Sequence, residues 1–115
     1  AENKDKLKLI GVKTTANDPA IYPSDSTVMN GSYKPLSRPE FIYVNKKALA
    51  KPYVREFLAY YLDHAGELAK EVGYVPLSSD AYRLCHERLN KNMTGSMFEH
   101  TSVVGADLIQ LLTRK

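Results

Sequence analysis

The sequence has no tryptophan and a single cysteine, Cys85. One thiol has no partner within its own chain, so an internal disulfide is excluded and cysteine usage says nothing of redox compartment. No run of 18 apolar residues occurs, and no charged-then-apolar leader with a cleavage site. Charge of one sign is scarcely in excess. With 16 basic and 13 acidic side chains in 115 residues, the net charge is +3, too small to argue for a nucleic-acid partner. The six glycines never gather into a phosphate-cradling loop, and no repeat or low-complexity segment is visible.

Catalytic and metal chemistry are equally sparse. His64, His86 and His100 are far apart in sequence. Only His86 has a sulfur neighbour, Cys85, and adjacent helical residues point about 100° apart, so the pair cannot share a metal in the two-residue helical fashion that needs a spacing of three or four. Cys85 falls on an apolar stripe, where a buried, inert thiol is expected rather than a nucleophile. Glu99 and His100 could form an acid/base pair, but nothing sets a nucleophile or an oxyanion hole beside them. The sequence therefore predicts no catalytic residue, no metal site and no cofactor, and a hydrolase built on His86 or His100 ranks last.

What is present is an ordinary globular composition, 43% hydrophobic and 25% charged, in a length normal for one domain. The organising stretch is residues 36–45. Phe41, Ile42, Tyr43 and Val44 form an unbroken β-branched and aromatic run, which predicts a strand buried on both faces. Pro39 suits the first position of such a strand, and Asn45 and Lys46 supply turn chemistry after it. A second strand is predicted over residues 7–14. There Lys4, Lys6 and Lys8 would line one face with Leu7 and Leu9 opposite, a solvated row in preference to a polyanion site.

Helices account for the rest. Val54, Phe57, Leu58, Tyr61, Leu62, Ala65, Leu68, Ala69 and Val72 recur at helical spacing behind Pro52, a first-turn proline, so one long helix is predicted up to Gly73, with a bend or restart at Gly66. Ser78 or Ser79 caps a second helix with Tyr82, Cys85 and Leu89 as its buried stripe. Ser24 or Asp25 caps a short turn through Met29 that ends at Asn30-Gly31, and Ala48 to Ala50 gives one further turn. Val103 and Val104 read as strand-like, and Asp107 to Leu112 as a terminal helix. The serines and aspartates at residues 24–26 and 78–80 already satisfy the helix starts, so capping is preferred there to anion binding. Eight tyrosines are not interleaved with basic residues as a base-stacking platform would require, and packing is the expected role of Tyr43, Tyr60 and Tyr61.

Residues 33–47, together with Ala-Gly-Glu-Leu-Ala-Lys-Glu-Val-Gly-Tyr-Val-Pro at 65–76, closely resemble the C-terminal part of bacterial PstS-type proteins, the phosphate-binding subunits of ABC importers. The resemblance runs from residues 2–8 through Thr94-Gly95-Ser96 to Val104-Gly105. The chain has no initiator methionine and starts inside that pattern. The resemblance implies an α/β fold, the C-terminal segment of a two-lobed type II periplasmic-binding-protein architecture with few strands and helices packed on the sheet. Residues 1–32 would close the second lobe and cross over, and residues 33–115 would return into the first lobe. Implied partners are inorganic phosphate, the N-terminal remainder of the same protein and an ABC permease, in the periplasm or at the surface of a bacterium.

With two strands only, the partner strands are expected on chain not present here, which leaves this segment as scaffold and hinge. The remaining cleft candidates are Ser37 and Arg38 at the mouth of the predicted strand. A structural hydrogen bond or ion pair is preferred for Arg38, because in the resembled family the phosphate ligands come mostly from earlier loops and an arginine of the second lobe. The alternative reading is a small stand-alone α/β interaction domain that presents its long helix to a partner and takes no part in transport.

Overall fold

The chain is organised around α3 (Pro52–Glu71) in a computed structural model that describes residues 3, 5–34, 36–97 and 107–113. The other helices are α1 (Asp25–Met29), α2 (Lys46–Leu49), α4 (Ser79–Asn90) and α5 (Leu108–Thr113), of which α2 and α4 pack on α3 and α5 packs on α4. Pro52 occupies the first turn of α3, where its missing N–H costs nothing, and the helix runs unbroken through Gly66. The expected restart there is absent. A Cβ at Gly66 would meet only the Tyr82 ring, at 3.5 Å, an ordinary contact.

Both long helices stop in the same way. At the end of α3 the Gly73 amide donates to Lys70 O at 3.1 Å and the Tyr74 amide to Ala69 O at 2.8 Å, with Gly73 left-handed at φ 82. At the end of α4 the Asn92 amide donates to Leu89 O at 3.1 Å and the Met93 amide to Arg88 O at 3.0 Å, and Asn92 takes the left-handed position at φ 51. Each is a Schellman motif, satisfying carbonyls that the helix end leaves open.

The link after Gly73 turns the chain back. Arg55 reaches Leu89 and Asn92, Asp63 reaches His86, and Gly66 lies beside Tyr82. Rising number on α3 pairs with falling number on α4, so the two form an antiparallel helical hairpin. Ala81, Leu84 and Leu112 form its buried cluster with α5, edged by Leu77, Cys85 and Met97. The stripe predicted for α4, Tyr82, Cys85 and Leu89, is only half-buried. Ala81 and Leu84 lie deepest. The buried arc is thus rotated by one residue, toward the side on which Leu112 docks.

The α/β expectation is corrected. Among the described residues the β pairing consists of one antiparallel bridge, Val12 with Ile21, closed by two reciprocal bonds of 2.9 Å. Gly11 beside it admits Tyr22, since a Cβ there would come within 3.0 Å of that ring. Before the bridge the Lys6 and Leu7 amides both donate to Asn3 O in a turn, and Leu7, Leu9 and Ile10 are exposed. Residues 41–44 form no strand, with Ile42, Tyr43 and Val44 exposed. The physical reason is that a β-prone run fixes only a preference. A strand exists when a neighbouring backbone takes its amides and carbonyls in a ladder, and among the described residues no such ladder forms along residues 41–44. Among the described residues there is no sheet for the helices to cover, and they do not show the few strands under packed helices drawn from a two-lobed type II fold. Val103, Val104, Glu99 and His100 lie outside the described residues.

Candidate functional site

The two candidate helix starts for anion binding are both closed by caps. Ser24 Oγ accepts from the Thr27 amide at 3.1 Å while the Ser24 amide donates to Thr27 Oγ1 at 2.9 Å, a capping box made by a threonine. Ser78 Oγ accepts from the Ala81 amide at 3.3 Å at the start of α4, where Asp80 adds a carboxylate to the first turn. Asn45 does the same for α2, accepting from Lys47 and Ala48.

Ser37 and Arg38 stand on the irregular segment between Tyr33 and α2. The Ser37 hydroxyl donates to Tyr33 O at 2.6 Å, a local bond back to the buried Tyr33. Arg38 is exposed on an irregular segment. Neither lines either of two clefts beside α4.

The larger of these, about 670 Å³, opens along the α3–α4 seam and is roofed by the link after α3. Its floor is apolar, with Leu62, Gly66, Leu77 and Tyr82, and the Tyr82 hydroxyl accepts from the Leu77 amide at 3.3 Å. Its charged groups are Asp63, Glu67, Lys70 and His86. Asp63 Oδ1 stands 3.1 Å from His86 Nε2 and joins the two helices. Glu67 lies 3.9 Å from His64 Nδ1, and the His64 ring packs on Tyr60 at 4.2 Å between centroids. The rim sets two carboxylates, which oppose an incoming oxyanion, against the single Lys70 ammonium, a poor match to a phosphate cradle.

The Asp63–His86 pair was not foreseen from the sequence. A signal for it exists: Asp63 follows Leu62 and His86 follows Cys85, so each stands one position off a packing residue, at the edge of the seam. Cys85 itself is half-buried against the Ala81–Leu84–Leu112 cluster. That burial pushes its thiol pKa up, against a smaller downward pull from Arg88. Among the described residues no group of three His, Cys, Asp or Glu side chains stands close enough to hold a metal ion, and no helix is long and apolar enough to cross a membrane.

No family model and no solved structure matches the chain. Relatives at the level of sequence are clear. The protein SphX of Synechococcus elongatus is 46% identical over 111 residues, covering 96% of this chain and 33% of SphX. SphX of Synechocystis sp. is 42% identical over 110 residues, 95% of this chain and 32% of that protein. The phosphate-binding protein PstS of Staphylococcus aureus is 43% identical over 83 residues, 71% of this chain and 25% of PstS. The name of PstS describes binding, and neither name states a reaction. The chain is homologous over most of its length to SphX and to the phosphate-binding protein PstS, and it spans a quarter to a third of their length.

Proposed function

We propose that this chain is part of a solute-binding protein that captures inorganic phosphate outside the cytoplasm of a bacterium and delivers it to an ABC permease, and that this segment serves it as scaffold and hinge. The observation that carries the reading is the 43% identity to a phosphate-binding PstS over 71% of the chain. The segment's own chemistry fits a supporting role. The starts of α1, α2 and α4 are occupied by Ser24, Asn45 and Ser78, and the rim of the larger cleft sets the Asp63 and Glu67 carboxylates against the single Lys70 ammonium. Phosphate would be held by the two-thirds or more of the protein to which this chain has no counterpart.

Two calorimetric titrations test this. The isolated chain is expected to bind phosphate no tighter than millimolar, and micromolar affinity would overturn the scaffold role. Staphylococcus aureus PstS with its 83 aligned residues replaced by their counterparts from this chain is expected to keep phosphate binding. Loss of binding in a folded chimera would remove the transport reading.

A further inference from the structure

Of the chain's asparagines, Asn30 alone precedes a glycine. The side-chain amide of an asparagine can be attacked by the backbone nitrogen of the next residue, and a Cβ on that residue shields the nitrogen. Asn30 and Gly31 end α1, where both are exposed and a Cβ on Gly31 would meet nothing within 4 Å. Solvent thus reaches the Gly31 amide and the Asn30 carboxamide together.

The folded backbone nevertheless holds the two reactants apart. Closing a five-membered ring through Asn30 Cγ needs the Gly31 nitrogen on the same side of the Cα–C bond as Cβ. Asn30 has ψ 1°, so that nitrogen eclipses the amide nitrogen of Asn30 and stands about 120° in torsion from Cβ, as the substituents of a tetrahedral carbon require. Three hydrogen bonds hold this torsion. The Gly31 amide donates to Val28 O at 3.2 Å, the Ser32 amide to Asn30 Oδ1 at 2.9 Å and the Tyr33 amide to Thr27 O at 2.9 Å. Ring closure has to break the first two and displace the third. The element that supplies them is easily opened. Helix α1 has five residues, too few to persist by their own hydrogen bonds, and among the described residues no other helix packs on it. It is kept by the Ser24–Thr27 capping box and by Thr27 Oγ1, which also donates to Tyr22 O at 2.8 Å. Its opening is a local event at the low end of the stabilities within the chain.

We propose that Asn30 is a self-modification site, a deamidation centre whose rate is set by opening of the turn that ends α1. The Gly31 nitrogen gives its proton to a solvent base and bonds to Asn30 Cγ, and Nδ2 takes a proton from water and leaves as ammonia. Water then opens the resulting succinimide at either carbonyl, giving aspartate or, with the chain routed through Cβ, isoaspartate. In sum a water enters and an ammonia leaves, with no change of oxidation state. Either product acts on the turn that made it. Aspartate sets a carboxylate at the negative end of α1, and isoaspartate lengthens the backbone that ties α1 to the buried Tyr33. The site is an irreversible ageing switch on α1 and is independent of phosphate.

The test incubates the 115-residue chain at mildly alkaline pH, in native buffer and in denaturant. Peptide mass spectrometry follows conversion at Asn30 and, for comparison, at Asn17, which precedes an aspartate. Conversion at Asn30 is expected to be at least about tenfold slower in native buffer than in denaturant, because slow chemistry samples only the open fraction. Thr27→Val and Ser24→Ala each remove half of the capping box, and each is expected to speed the native reaction about fivefold while leaving the denatured rate alone. Leu112→Ala, which loosens the cluster between α4 and α5, should change neither rate. Equal native and denatured rates would overturn the proposal. So would a native rate that neither capping variant raises, or one that Leu112→Ala raises as much. Faster conversion at Asn17 than at Asn30 in denaturant would remove the chemistry itself. Hydrogen exchange at the Gly31 amide gives a second measure of the turn. It should rise with the capping variants by the same factor as conversion, and exchange that rises while conversion stays constant would overturn the gating by α1.

Discussion

The Arg55 guanidinium, near the start of α3, donates to Asn92 Oδ1 at 2.6 Å, and Asn92 is the left-handed residue that ends α4. One asparagine thus serves two elements. Its backbone completes a Schellman motif, and its side chain ties the end of one helix to the start of the other. The two roles separate by substitution. Asn92→Gly keeps the left-handed backbone and loses only the side-chain bond, at a cost of about 1 kcal/mol for an exposed contact. Asn92→Ala loses the bond and adds about 1 kcal/mol of left-handed strain. Arg55→Ala should cost at least as much as Asn92→Gly, since it also removes the 3.4 Å bond to Leu89 O, and the two together should cost less than their sum, because both remove the bond between Arg55 and Asn92. Denaturant midpoints check this, and a glycine variant less stable than the alanine variant would contradict the assignment.

Helix α5 has only six residues, too short to persist by its own hydrogen bonds. Asp107 Oδ1 accepts from the Ile109 and Gln110 amides at 3.0 and 3.2 Å, which starts it. Packing keeps it, through Leu111 and Leu112, 2% and 5% exposed. Leu112→Ala is expected to cost about 2–4 kcal/mol, since Leu112 fills the same cluster as Ala81 and Leu84. Ile109→Ala, on the more open side, is expected to cost under about 1 kcal/mol. Comparable losses from the two, measured by denaturant titration, would mean that α5 is not held by that cluster.

Helices were legible in the sequence because their determinants are local. Pro52 opens α3, Gly73 closes it, Ser78 caps α4, and each acts within one turn of its own position. That the predicted sheet does not form among the described residues was not legible, for the opposite reason. Phe41, Ile42, Tyr43 and Val44 announce a wish for burial, but strand formation needs a second backbone at ladder distance, and no pattern inside residues 41–44 can report whether it is there. The same limit applies along α3. Periodicity placed Phe57, Leu68 and Val72 on one apolar face with Leu58, yet the structure buries Leu58 and leaves the other three exposed. Spacing states which residues share a side of the helix and is silent on what meets that side. The candidate site was read no better. Helix caps declare themselves by residue type, whereas Asp63 and His86 are joined only by how the hairpin closes.

The Cys85 thiol is expected to be slow toward thiol reagents. Half-burial beside Leu84 and Leu112 raises its pKa, and Arg88 only partly offsets this, so less thiolate is present at mildly alkaline pH than in the unfolded chain. The sign for stability follows. A proton held more tightly in the native state stabilises it below the ordinary thiol pKa, and the contribution disappears as pH rises through the raised native value. Stability should therefore fall on the alkaline side, and Cys85→Ala should remove that slope. Alkylation of native protein as fast as of denatured protein would show that the thiol is not shielded.

Glu87 runs the other way. Its carboxyl is held below the usual carboxylate range, first by the hydrogen bond from Lys91 and that residue's charge, and then by Arg83. Arg83 makes the shorter contact, 2.6 Å against 3.3 Å for Lys91. Its charge, however, is shared with Asp80, 3.5 Å from its Nε, whereas Lys91 has no second carboxylate in reach among the described residues. The lysine is accordingly the larger cause. Because the native value is depressed, the stabilisation is present above the ordinary carboxylate pKa and is lost as pH falls through the native one. Side-chain NMR titration should place Glu87 below an unperturbed glutamate. Lys91→Met should raise it further than Arg83→Met, and 0.5 M salt should shrink both differences, since all three groups face solvent. A titration unmoved by Lys91→Met would show that the pair at the end of α4 does not persist in solution.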